Sequence, residues 1–110
     1  MEKQINNYKA LINLSDRYLS ATNNMMFLQQ LMWIEQMLDR AKIEIAELAS
    51  TNEEKESSRA FTKEIYQYLD TILRPKTTEL IQKLSKDQKE YCVNSVKNSA
   101  ASHIQWIMAS

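Results

Sequence analysis

Residues 25–45 read MMFLQQLMWIEQMLDRAKIEI. Within this run Phe27, Leu31, Ile34, Leu38, Ala41 and Ile45 recur at alternating spacings of four and three, the repeat of one face of an α-helix. The stretch predicts a helix over about 25–49 and decides the fold class. It also carries more apolar residues than one stripe needs. Met26, Trp33 and Met37 fall about 100° away on the helical wheel, and Met25 and Met32 lie on a third side. A helix that is apolar nearly all round is either central in a core or half of an interface.

The flanks extend the helical pattern. Ile5, Tyr8, Leu11, Ile12, Tyr18 and Leu19 form one stripe and predict a first helix over about 2–20. Between the two lies Ser20-Ala21-Thr22-Asn23-Asn24, poor in helix formers. If one straight helix ran through it, the stripes on either side would disagree by about 100°. A turn is expected there, with a bent continuous helix as the alternative, and asparagine is expected to cap in left-handed geometry. After the central helix, Ser50 with Glu53, or Thr51 with Glu54, fits a capping box. Phe61, Ile65, Tyr68 and Ile72, with Leu69 and Leu73 beside them, make a packing seam. Pro75 should interrupt it and push Arg74 out of helical geometry. Leu73, Leu80 and Leu84 nevertheless stay in phase with one another, which favours a single helix over 53–84 kinked at Pro75. Ser85-Lys86-Asp87-Gln88 is another capping box and opens a last helix over about 86–108.

Composition agrees. The 110 residues include no glycine and one proline, where average usage would give roughly eight glycines. Tight hairpins usually need glycine and helices do not. The expected fold is all-α: a compact antiparallel bundle of four helices in a single domain, 1–110. The same absence excludes glycine-rich phosphate loops, dinucleotide fingerprints and nucleophile elbows. Fourteen basic and fourteen acidic residues cancel, so no global field draws in nucleic acid or anionic lipid. No apolar run is long enough for a membrane span. A single cysteine, Cys92, and a start without an apolar h-region point to the cytoplasm. Asn13-Leu14-Ser15 matches a glycosylation triplet and is read as chance.

Chemistry has few anchors. One histidine, His103, and one cysteine leave no set of metal ligands. Cys92 and His103 sit about 16 Å apart along one expected helix, too far for a nucleophile–base pair. No catalytic, metal or cofactor site is therefore expected, and the chain is not read as an enzyme.

The expected function is a small protein–protein interaction module: an inhibitor, immunity-type protein, chaperone or assembly subunit, by analogy with other small bundles. Its partner is a second copy or one other protein. The expected partner-binding residues are Met25, Met26, Met32, Trp33 and Met37, since methionine adapts to irregular surfaces and tryptophan is enriched at hot spots. The competing reading is that this helix simply touches two neighbours in its own bundle. The last helix offers a secondary candidate in Ser99, Ser102, His103 and Trp106, next to Ser95, where small residues allow close packing, a polar pocket or a ligand site. Residues 74–89, with Arg74, Lys76, Lys83, Lys86 and Lys89, suggest a nucleic-acid-associated role as the alternative. They lack an aromatic for base stacking.

Overall fold

The computed structural model describes residues 1–91, 94 and 95. They are helical throughout apart from short connections: α1 (Glu2–Ser20), a single 3-10 turn (Asn24–Phe27), α2 (Leu28–Leu48), α3 (Asn52–Tyr68), a π-turn (Leu69–Leu73) and α4 (Arg74–Ile81). Residues 86–91, 94 and 95 are helical as well. The result is an all-α bundle with four helices among the described residues. Within it α2 touches α1, α3 and α4.

The centre of the core is α2. It supplies Leu28, Leu31, Met32, Ile34, Met37, Leu38, Ala41 and Ile45, half of the buried apolar side chains among the described residues. These eight cover an arc of about 220° on the wheel, the width required by neighbours on several sides. Ile5 and Tyr8 come from α1, and Phe61, Ile65 and Tyr68 from α3. Leu69, Leu73 and Leu80 complete the set.

Direction changes occur without left-handed backbone, since no described residue has positive φ. This corrects the expectation for the asparagines. Instead α1 stops at Ala21, which is extended (φ −66°, ψ 143°), and α2 stops at Ala49, also extended (φ −71°, ψ 117°). Asn23 (φ −114°, ψ 66°) leads into the 3-10 turn. The Asn24 side chain reaches back toward the Leu19 carbonyl at 3.5 Å. Tyr18 and Phe27 stack across this corner with ring centroids 4.4 Å apart, so the end of α1 and the start of α2 are fastened by aromatic contact.

Of the two capping boxes open at the start of α3, Thr51 with Glu54 forms. Glu54 N–H donates to Thr51 Oγ1 at 3.1 Å, and Thr51 N–H donates to Glu54 Oε1 at 3.2 Å. Ser50 adds its own N–H and hydroxyl to the same carboxylate. The Ser50 hydroxyl, followed by the backbone N–H groups of Ser50 and Thr51, holds the Glu54 carboxyl below its usual range. The box at Ser85 and Gln88 also forms, at 3.0 and 3.3 Å.

The expected kink at Pro75 takes a different form. Arg74 keeps helical geometry (φ −61°, ψ −44°), and its N–H bonds the Leu69 carbonyl five residues back. That π-turn is equivalent to inserting one residue into an α-helix, so it sets the following turns back by about 100°. This resolves a mismatch in the sequence. Phe61 and Leu80 are nineteen residues apart, which in a regular α-helix would put them about 100° out of phase; across the π-turn both are buried. The same shift turns Ile72 out of the seam, to 47% exposure, and brings in Leu69 and Leu73. The wider turn also gives the Pro75 ring room beside the carbonyl four residues back, the contact that normally breaks a helix.

Candidate functional site

The five residues expected to bind a partner separate in space. Met37 is fully buried and Met32 nearly so, at 0% and 7% exposure. Met25 and Trp33 are partly buried against the core. Met26 alone is open, at 70%. The Met/Trp stripe is thus mainly core, because α2 has neighbours on several sides, and Met32 and Met37 move out of the partner face. Ser99, Ser102, His103 and Trp106 lie outside the described residues, as do Cys92 and most of the expected last helix.

The basic segment is partly occupied by the bundle's own acids. The Arg74 guanidinium bonds Glu35 at 3.2 Å, Asp39 at 3.0 Å and Asp70 at 2.9 Å. Thr77 adds a hydroxyl bond to Glu35 at 3.3 Å, and Lys76 pairs with Glu79. Arg74 is therefore a clasp from α4 to α2, and its planar fork suits several carboxylates at once. Lys83 and Lys86 stay exposed.

A buried polar tie joins α1 to α3. The Tyr68 hydroxyl donates to Asp16 Oδ1 at 2.9 Å and meets the hydroxyl of the fully buried Ser15. Burial pushes the Tyr68 phenol up to about 12, with the Asp16 contact acting in the same direction and the Ser15 bond against it. A phenol held protonated in this way works as a hydrogen-bonding strut. Tyr8, fully buried between α1 and α3 and 6.3 Å from Phe61, is also pushed up to about 12, by burial first and then by the charge of Glu44. Its hydroxyl has no hydrogen-bond partner among the described residues.

The open apolar surface lies elsewhere, along the α2–α3 groove. Lys42, Ile43, Ala46 and Glu47 from α2 face Ser58, Arg59 and Thr62 from α3 across a space of about 620 Å³. Ile43 is 54% exposed, and Tyr66, one turn beyond Thr62, is 42% exposed. Lys42 closes this end of the groove. Its ammonium donates to the Tyr66 hydroxyl at 2.7 Å, sits 4.4 Å from the ring centroid and pairs with Asp39 at 3.6 Å. The bond to Tyr66 raises the Lys42 pKa, and the nearby Asp39 charge adds to it. Glu47 and Arg59 stand on opposite rims, neither in an ion pair among the described residues. A second groove, between α1 and α3, has a different character. It measures about 500 Å³ and is lined by Glu2, Glu53, Glu54 and Glu64 with Lys9.

Reading the sequence for apolar surplus misses the α2–α3 groove, although a signal exists. Ile43 falls outside the stripe Leu38, Ala41, Ile45, and Tyr66 falls outside Phe61, Ile65, Tyr68. Each is a large apolar residue far off the buried stripe of an otherwise amphipathic helix, Ile43 about 165° and Tyr66 about 135° away on the wheel. Among the described residues no helix is long and apolar enough to cross a membrane. No protein-family model, no curated protein and no solved structure matches the chain, so a functional reading rests on these residues.

Proposed function

We propose that this chain is a non-catalytic protein–protein interaction module that docks a protein surface on its α2–α3 face. The observation that carries the reading is the exposure of Ile43 in the α2–α3 groove, with Tyr66, also exposed, held to the same side of the helix pair by Lys42. Full burial of an isoleucine side chain contributes about 1.5–3 kcal/mol, so covering one already half buried adds about 1 kcal/mol. Tyrosine brings a large rigid contact with a polar end, the residue type enriched at interface cores. Glu47, Arg59 and Lys42 form a charged rim that admits a complementary surface and rejects a mismatched one. The mechanism is occupation of a surface, with no bond made or broken. The single cysteine and balanced charge fit a cytoplasmic setting. The nucleic-acid alternative has less support, because Arg74 is already engaged by three carboxylates.

The test is site-specific photo-crosslinking with a benzophenone amino acid at position 43, in the cells that make the protein. We expect one discrete adduct to a protein, absent when the probe is moved to Asn6 on α1. Equal labelling at both positions, or no adduct at position 43, overturns the reading.

A further inference from the structure

We infer that the occupant of the α2–α3 groove is a second copy of the same chain, related by a twofold axis running along the groove. This rests on the docking reading above and names its partner.

The face is complementary to itself. α2 and α3 are neighbours joined by the short connection 49–51 and so run antiparallel. Glu47 and Arg59 line the same groove from opposite helices, so the two lie at nearby levels along it. A twofold axis parallel to the helices places α2 of one copy over α3 of the other and leaves every level unchanged. Glu47 then meets Arg59 of the second copy, and Arg59 meets its Glu47. Ile43 comes to lie over the α3 wall of the second copy's groove, formed by Ser58, Arg59 and Thr62. A twofold contact requires each residue's partner to lie on the same patch, and this patch provides that: one acid and one base on opposite rims, both exposed and both without an ion pair among the described residues. A different protein would have to supply both charges independently. The formal net charge of zero means that two copies approach without long-range repulsion.

The size of the face sets the expected strength. α3 has 17 residues, about 25 Å of helix, and two adjacent helices are about 20 Å across. Even the whole projected face of about 500 Å² falls short of the roughly 800 Å² per partner of stable interfaces, which places the contact in the weak, transient class. The dimer is therefore expected to dissociate in the micromolar range.

Sedimentation of purified protein from about 1 μM to 1 mM tests this directly. We expect the mass to rise from 12.9 kDa toward twice that value. Glu47→Arg alone and Arg59→Glu alone should each weaken dimerisation at least tenfold, because each sets like charges face to face. An equimolar mixture of the two single variants should restore a heterodimer, and the double variant should restore the homodimer. Circular dichroism checks that each variant stays helical; if either swap unfolds, Glu47→Gln and Arg59→Gln replace it, each expected to weaken the dimer severalfold. A wild-type chain that stays monomeric overturns the inference. So does a dimer indifferent to either substitution, or a mixture that fails to recover. A crosslink from position 43 to a different protein would also overturn it while leaving the docking reading standing.

Discussion

The two halves of α2 reverse the order that hydrophobicity would give them. Residues 28–38 hold Leu28, Leu31, Met32, Trp33, Ile34, Met37 and Leu38, and none of these is well exposed. Residues 39–48 are an ordinary amphipathic segment, with Asp39, Arg40, Lys42, Glu44 and Glu47 among them, yet Ile43 is more exposed than any apolar side chain of the first half. The number of neighbours explains the difference. Arg74 and Thr77, both in α4, reach α2 at Glu35 and Asp39. α2 is thus enclosed on that side as far as Asp39 and left open beyond it. An apolar surplus locates an interface only after the neighbours have taken their share.

The sharpest way to break this comparison is to shorten a buried methionine. Met37→Ala should lower stability by about 2–5 kcal/mol, the range for a large-to-small change in a closed core. Met26→Ser should stay within about 0.5 kcal/mol, as surface changes do. Urea unfolding of the two variants measures both. A tolerant Met37 and a sensitive Met26 would return the Met/Trp stripe to the surface.

The next contrast is between the two buried tyrosines. Tyr68→Phe removes the tie to Asp16 and Ser15 and should cost about 1–2 kcal/mol. Tyr8→Phe removes a buried hydroxyl without a partner among the described residues, and should gain about 1 kcal/mol at neutral pH. Alkaline pH gives the same pair a common signature. Both phenols rise from 10.0 to about 12 on folding, so between pH 10 and 12 the unfolded chain loses protons that the folded chain keeps. Stability is therefore intact below pH 10 and falls as pH rises toward 12, on the order of 2–3 kcal/mol for each tyrosine. Either phenylalanine variant should shallow that fall by about half. A flat profile from pH 10 to 12 would mean that neither phenol is enclosed as described.

Much of this was legible in the sequence. The missing glycines, the stripes and the break at residues 20–24 point to a helical bundle, and the bundle is there. Capping residues were legible too, because a Ser/Thr with Glu/Gln three positions on is local chemistry. The π-turn was not. Its only trace is that Phe61-Ile65-Tyr68 and Leu73-Leu80-Leu84 are each periodic but out of phase with one another, a conflict that a bulge resolves as readily as a kink. The docking face was harder still. Ile43 and Tyr66 belong to different helices, and only the packing of α2 on α3, seen in the Lys42–Tyr66 bond, puts them on one side of the bundle, which no single-helix period contains.

Hydroxyl-radical footprinting across a concentration series tests the central claim most directly, because it reads both halves of α2 in one experiment. The account predicts fast oxidation of Met26, strong protection of Met32 and Met37 at every concentration, and reactive Ile43 and Tyr66 at about 1 μM that become protected toward 1 mM while Met26 does not change. Reactive Met32 and Met37 that become protected with concentration, alongside an indifferent Ile43, would contradict it and put the interface back on the methionine stripe.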